Sequence, residues 1–356
     1  MRYLDLKTIK FLFIFLCLFF RVDAKEGCAL SMEIREKALV QLDEWINMVT
    51  PLPIRTFPLL SKDSIKEYAE PDFDLQAFSK KHGFFSCQSP LIGIVTDQLS
   101  DVEPIEKALA CLLSSKNLFF IELATGEILS KALAYRNLQK GIKIKIPCII
   151  EGKPLLVEYQ VNEVLDLWHE MPAFGLLPFH KKANPILLFR GSDFSLLSKK
   201  SWASLLSDLD ISGTGFSAFH LARSDIHAWL EKAFLFSGNP AKVMGFSLGG
   251  ILSLYTTIFE KSLIAAQGSM SFNPPGVSQP IAERWKEVSS LLKIYITQGD
   301  LIPKIGILVP PAFVLFTDKK FAPIEAHTRL MTAEPSFSLA EIYIENQPSK
   351  KQHLYK

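Results

Sequence analysis

The chain has almost no charge of either sign to spare. Over 356 residues Lys and Arg number 39 and Asp and Glu 37, a formal net charge of +2. The basic excess or stripe that a nucleic-acid partner requires is missing. Cysteine is scarce, at five, and no two cysteines form a C-x-x-C pair, so the local signature of a zinc or thioredoxin-like site is absent. The seven histidines include His82, His169 and His180, scattered among turn residues, and His220 and His227, seven apart on one predicted helix. None stands at metal-ligand spacing, and no metal or cofactor is expected. The sequence also lacks an N-x-S/T sequon, an internal repeat, a low-complexity tract and any uncharged apolar run of 18 or more residues. What it has in quantity is apolar side chains, 48% of the chain, with 27 Phe and only 21% charged residues. That composition excludes a disordered or fibrous protein.

Part of the Phe excess sits at the N-terminus. Arg2, Lys7 and Lys10 precede ten uncharged apolar residues, Phe11–Phe20, and Arg21-Val22-Asp23-Ala24 follows. A positive stretch, a short apolar stretch and small residues before a cut after Ala24 together describe a secretory signal peptide. The apolar run is about half of what a membrane-spanning helix needs. Residues 1–24 are therefore read as a leader and the remaining chain as exported, periplasmic or secreted. The leader would take Arg2, Lys7, Lys10 and Arg21 with Asp5 and Asp23, which accounts for the whole net charge. It would also take five Phe and Cys17. Cys28, Cys87, Cys111 and Cys148 then remain, an even number that allows one or two disulfides in any of three complete pairings.

Residues 25–184 read as an N-terminal cap or subdomain with the first strands. Ile34, Leu39, Leu42, Ile46 and Val49 lie at helical spacing until the Pro51-Leu52-Pro53 break. Residues 103–115 are predicted helical and the apolar run Leu118–Leu123 a strand. Residues 142–161 alternate on both sides of Glu151-Gly152-Lys153, a hairpin pattern. From residue 185 to 345 short apolar strands alternate with helical stretches: strands in Ile186–Gly191, before Gly245, in Ala265–Phe272 and in Lys293–Thr297, helices over Phe216–Phe236, Ile251–Phe259 and Ile281–Leu292. The expectation is an α/β core with a mostly parallel sheet. The tail, 346–356, is polar.

One motif carries chemistry. Gly245-Phe246-Ser247-Leu248-Gly249 matches G-x-S-x-G, with Gly250 next, a strand before it and a helical run after it. A serine at the tip of a strand-to-helix turn sits in strained geometry that tolerates only small neighbours. It also lies at a helix N-terminus, where free N–H groups stabilise an oxyanion. Such a nucleophile needs a base and an orienting acid, in the chain order Ser, acid, His. Only His327 and His353 follow Ser247, and His353 lies in the polar tail, so His327 is the candidate base. Of the acids between, Glu260, Glu283 and Glu287 fall in helical stretches where solvated faces are the default, and Glu325 is too close in sequence to His327. Asp300 follows the KIYIT strand and Gly299, and Asp318 is second choice after the Ala312–Phe316 run.

Four ordered blocks, over about residues 185–330, resemble the class 3 (fungal-type) lipases of the α/β-hydrolase superfamily. FRGSDFSLLSKKSWASLLSDLD is similar to that family's strand ending in F-R-G-S/T and its W-x-x-D-L helix. GTGFSAFHLARSDIHAWLEKA is similar to its G-F helix, VMGFSLGGILSLY to its G-H-S-L-G-G elbow, and SFNPPGV with TQGDLIP to its F-G-x-P-x-V and D-x-V-P segments. The resemblance implies an α/β-hydrolase with Ser247 as nucleophile, Asp300 as orienter and His327 as general base. It further implies oxyanion donors at Ser192 and at the Leu248 N–H, and a lid over Asp193–Trp202. Phe246 stands where the family usually has His, the family's His before G-F is missing, and 27 residues separate acid from histidine, a short interval for the family. The activity implied is hydrolysis of carboxylic esters of lipids through an acyl-enzyme, without cofactor, with transient contact to a lipid surface through the lid. A phospholipase A1, a thioesterase, an acyltransferase, or an exported interaction protein with a hydrolase fold would carry the same blocks.

Overall fold

The structure is a computed structural model that describes residues 102–168, 171–191, 214–317, 321, 323–334 and 337–342. The leader, the helix expected before Pro51, Ser192, the 193–202 segment, Asp318, His82, His169, His353 and the tail lie outside them.

Among the described residues two helices come first. α1 (Glu103–Cys111) opens with a proline in its first turn and with Glu103 and Glu106 near its N-terminus, where the helix dipole favours acids. α2 (Leu118–Lys131) begins at Asn117, whose side chain accepts the Phe120 N–H at 3.0 Å. The strand expected over Leu118–Leu123 is thus the first half of a helix. Nearly every α2 side chain from Phe120 onward is buried, so the run shows no polar face. A short apolar run of that kind has no period by which helix and strand can be told apart. Its length and the Asn cap decide for helix.

Among the described residues nine strands form one sheet, hydrogen-bonded in chain order. The strands are β1 (Lys143–Ile150), β2 (Lys153–Trp168), β3 (Met171–Pro178), β4 (Ile186–Phe189), β5 (Lys242–Phe246), β6 (Ser269–Phe272), β7 (Leu292–Thr297), β8 (Ala312–Phe316) and β9 (Ser338–Ile342). β1 to β4 pair antiparallel, and Ile150 faces Lys153 across the hairpin turn that holds Glu151 at φ 51° and Gly152 at φ 74°. β4 to β8 are parallel, and β9 returns antiparallel. The sheet is therefore parallel at its centre, where the motif lies, and antiparallel at both margins. β1 to β3 are hydrogen-bonded into the same sheet as the strands beyond residue 185.

Between the parallel strands run α3 (Phe216–Ser237), α4 (Leu248–Phe259) and α5 (Gln279–Trp285). α5 is shorter than the Ile281–Leu292 stretch expected, and its C-terminal part is turn rather than helix. Strand side chains alternate between two apolar layers, since successive residues of a strand point to opposite faces. In β4, Ile186 and Leu188 join the layer under α1 and α2, while Leu187 and Phe189 join the layer under α3, α4 and α5. Covering on both faces is what a central parallel sheet requires. Two close approaches set the helix positions. A Cβ on Gly126 of α2 would stand 2.4 Å from the Met270 sulfur, and one on Gly175 of β3 would stand 2.0 Å from Trp229 Nε1 of α3.

Glu260, read as a solvated helical acid, is buried at the C-terminal end of α4, where it accepts from Arg223 Nε at 2.7 Å and pairs with His227 Nδ1 at 2.8 Å. Glu283 and Glu287 are exposed, as are His220 and His227 on the outer face of α3. Cys111 and Cys148 are free thiols, so of the pairings considered only Cys28 with Cys87 remains, outside the described residues. Burial pushes the pKa of both thiols up and so favours the protonated form. Among the described residues no helix is long and apolar enough to cross a membrane.

Candidate active site

The turn between β5 and α4 holds Ser247 at φ 56°, ψ −124°, a region that costs a non-glycine residue about 1–3 kcal/mol. Packing around it is too tight for side chains. A Cβ on Gly245 would lie 2.1 Å from the Gly249 carbonyl oxygen, one on Gly249 would lie 2.6 Å from the Phe189 carbonyl oxygen, and one on Gly250 would lie 2.8 Å from Ser271 Oγ. The three glycines of the motif are thus explained by contact. The elbow is tied to β6 through the Ser247 N–H, which donates to the Phe272 carbonyl at 2.9 Å. Ser247 is the N-cap of α4 and Leu248 its first residue. The Leu248 N–H is therefore among the first N–H groups of a helix, which find no acceptor within it.

The other side chains come from the loops after the neighbouring parallel strands. Asp300 follows β7, in a turn where Gly299 takes φ 94° and the Asp300 N–H donates to Thr297 O at 3.1 Å. His327 lies on α6 (Pro323–Thr328), between β8 and β9. His327 Nε2 is 2.9 Å from Ser247 Oγ and His327 Nδ1 is 2.7 Å from Asp300 Oδ2. All three side chains are buried. Asp300 Oδ1 accepts the Ile302 N–H at 2.9 Å, and Asp300 Oδ2 also accepts from Asn273 Nδ2 at 2.5 Å. With Asp300 accepting at Nδ1–H, the histidine presents its Nε2 lone pair to the serine hydroxyl. That is the arrangement needed to draw a proton from Oγ.

Asn273 was not singled out from the sequence. It stands just beyond β6 at φ 48°, fully buried, with its N–H donating to Tyr295 O at 2.7 Å. The sequence signal was an Asn between a strand and two prolines, a residue type that tolerates the left-handed geometry found here better than most. Phe246, the departure inside the motif, is buried with its ring centroid 4.7 Å from the His327 ring, tilted 38°. The apolar ring therefore packs on the imidazole directly. Arg329 braces the far side of α6 by donating to Glu325 Oε1 at 2.6 Å and by pairing with Glu334. Among the described residues no three His, Cys, Asp or Glu side chains converge as a metal site.

No protein-family model and no curated protein matches the chain. Solved structures similar to it include a mutant form of MDLA from Penicillium cyclopium, at 16% identity, covering 64% of this chain and 98% of that one with a TM-score of 0.42. A lipase from Rhizopus microsporus var. chinensis is 15% identical over 80% of this chain and 91% of that one, TM-score 0.37. A triacylglycerol lipase from Penicillium expansum is 13% identical over 52% and 74%, TM-score 0.36. Likeness at this level carries no residue-by-residue correspondence. The chain has an α/β fold whose sheet is parallel at its centre, with the G-x-S-x-G turn between β5 and α4.

Proposed function

We propose that the protein is a serine hydrolase of carboxylic esters, with lipid esters as its substrates. The observation that carries this reading is the unbroken row of contacts from Ser247 Oγ through His327 to Asp300, with the serine in strained backbone geometry at a helix N-terminus. Ser247 Oγ would attack the ester carbonyl while its proton passes to His327 Nε2. The negative charge on the carbonyl oxygen would be met by the Leu248 N–H and, as the resemblance implies, by Ser192. Collapse of the tetrahedral adduct would release the alcohol, which takes the proton from His327, and leave an acyl-serine. Water deprotonated by His327 would then attack the acyl carbon and free the acid. Asp300 keeps the imidazole in the correct tautomer and stabilises its cation, and does not itself take the proton.

The ester preference is supported by the four sequence blocks and by a Phe-rich composition. Export of the chain and a lid over residues 193–202 belong to the same proposal. The test is labelling of the full chain by a fluorophosphonate probe together with hydrolysis of p-nitrophenyl esters of rising acyl length. Labelling that disappears in Ser247→Ala, with turnover falling by at least about 10³-fold, is the expected result. A folded wild-type protein that neither labels nor hydrolyses any ester would overturn the reading in favour of an interaction protein.

A further inference from the structure

Beneath the site lies a buried ion pair that the mechanism above does not use. Glu127 and Lys131, one turn apart on α2, are both 0% exposed and meet at 2.8 Å. Burying two charges is costly unless their remaining lone pairs and protons are satisfied. Here the partners come from one place. Lys131 Nζ donates to the Arg329 carbonyl at 2.6 Å. Glu127 Oε1 accepts the Met331 N–H at 2.9 Å, while Glu127 Oε2 accepts the Thr332 N–H at 2.9 Å and the Thr332 hydroxyl at 2.8 Å. Every one of these groups belongs to the segment that starts two residues after His327. The same ammonium lies 5.5 Å from the centroid of the Phe246 ring and 5.9 Å from that of Phe272. Phe246 in turn precedes Ser247 and packs on the His327 ring. The pair therefore grips both pieces of chain that must hold register at Ser247 Oγ and His327 Nε2.

We infer that Glu127 and Lys131 are positioning residues for His327, setting the imidazole against Ser247 by fixing residues 329–332 and the Phe246 ring. The inference rests on the hydrolase reading above. α6 is only six residues long, too short to keep its own shape without tertiary support. A merely structural pair predicts something different. Replacement of a buried ion pair by apolar residues of similar size is often neutral for stability, whereas removal of one partner is strongly destabilising. Folding and histidine placement can thus be separated.

The experiment compares wild type with Glu127→Leu/Lys131→Met. Three quantities are read: the melting temperature, kcat and KM on a p-nitrophenyl ester, and the low-field proton NMR signal of the hydrogen bond between His327 Nδ1 and Asp300. A melting temperature within a few degrees of wild type, KM within about twofold, kcat down tenfold or more and a lost or shifted low-field signal support the inference. Unchanged kcat with an unchanged signal overturns it. Should the double variant not fold, Glu127→Asp, one methylene shorter, takes its place with the same two readings of kcat and signal. The NMR signal reports geometry without turnover. A wild type that shows the signal but labels with no fluorophosphonate would therefore sink the hydrolase reading, and leave the placement of His327 to be judged by the signal alone.

Discussion

At the scale of single residues the site depends on contacts too close for a spare atom. Gly245, Gly249 and Gly250 each lack room for a methyl group, and this is a local requirement that the spacing of the motif already expresses. Asp300 illustrates a different kind of dependence. Its carboxylate is held by the Ile302 N–H and by Asn273 Nδ2, and the Asn273 bond falls on the oxygen that faces His327. A hydrogen bond to a charged group contributes about 1.5–3 kcal/mol. Asn273→Ala is therefore expected to lower kcat about 10- to 100-fold with KM little changed, and steady-state kinetics on one ester measure it. A loss confined to KM would show that Asn273 serves substrate binding and leaves Asp300 where it is.

At the scale of elements, helices and strands with a polar face or a sharp boundary could be read from the chain. The β1–β2 hairpin announces itself by alternation around Glu151-Gly152, and α3 by its spacing between Gly215 and Gly238, both of which take left-handed geometry. α2 could not be read this way, because burial on nearly all sides removes the period. The charges within it were the unused clue, since Glu127 and Lys131 sit four apart in a helix that is apolar for most of its length. The contact between α3 and the end of α4 carries its own prediction. The hydrogen bond from His227 to Glu260 holds the imidazole more basic than its ordinary value of 6.5. A raised folded value means that the stabilisation is full below about pH 6.5 and fades as pH climbs through the folded value. The melting temperature of wild type should exceed that of His227→Gln at about pH 5.5, and the two should converge by about pH 9. A gap of equal size at both ends would remove the charge from the explanation. Because His227 is nearly half exposed, solvent keeps the effect small.

At the scale of the whole molecule, one nine-stranded sheet carries both the antiparallel margin and the parallel centre. α3 ties them together, for Trp229 lies over Gly175 of β3 and donates to Asn162 of β2 at 3.1 Å. Gly175→Val would push the indole off its seat, and overpacking of this kind costs about 1–3 kcal/mol. Thermal unfolding followed by far-UV circular dichroism and by tryptophan fluorescence should move down together by several degrees. Two separated transitions would mean that β1 to β3 fold as a unit of their own. The same sheet explains how the site is assembled. Loops that follow β5, β7 and β8 all open at the C-terminal ends of the parallel strands, where this class of sheet gathers its ligands.

What the chain determined alone was local. A serine between glycines, a strand before it and a helix after it are set by neighbours within a dozen residues, so the elbow at Ser247 and the alternation of strand and helix follow from spacing. Charge balance and the missing cysteine pairs likewise belong to composition. Tertiary structure decided which distant groups meet. The acid at 300 and the histidine at 327 stand 80 residues or less from Ser247, yet only parallel pairing of β5 through β8 brings their loops to one edge. Asn273 behind Asp300, Phe246 against the imidazole, and the Glu127–Lys131 pair beneath both depend on side chains crossing between layers. The physical reason is the same in each case. A hydrogen bond or a ring contact has a reach of a few ångströms, and sequence spacing says nothing about which far segments the packed sheet will place within it.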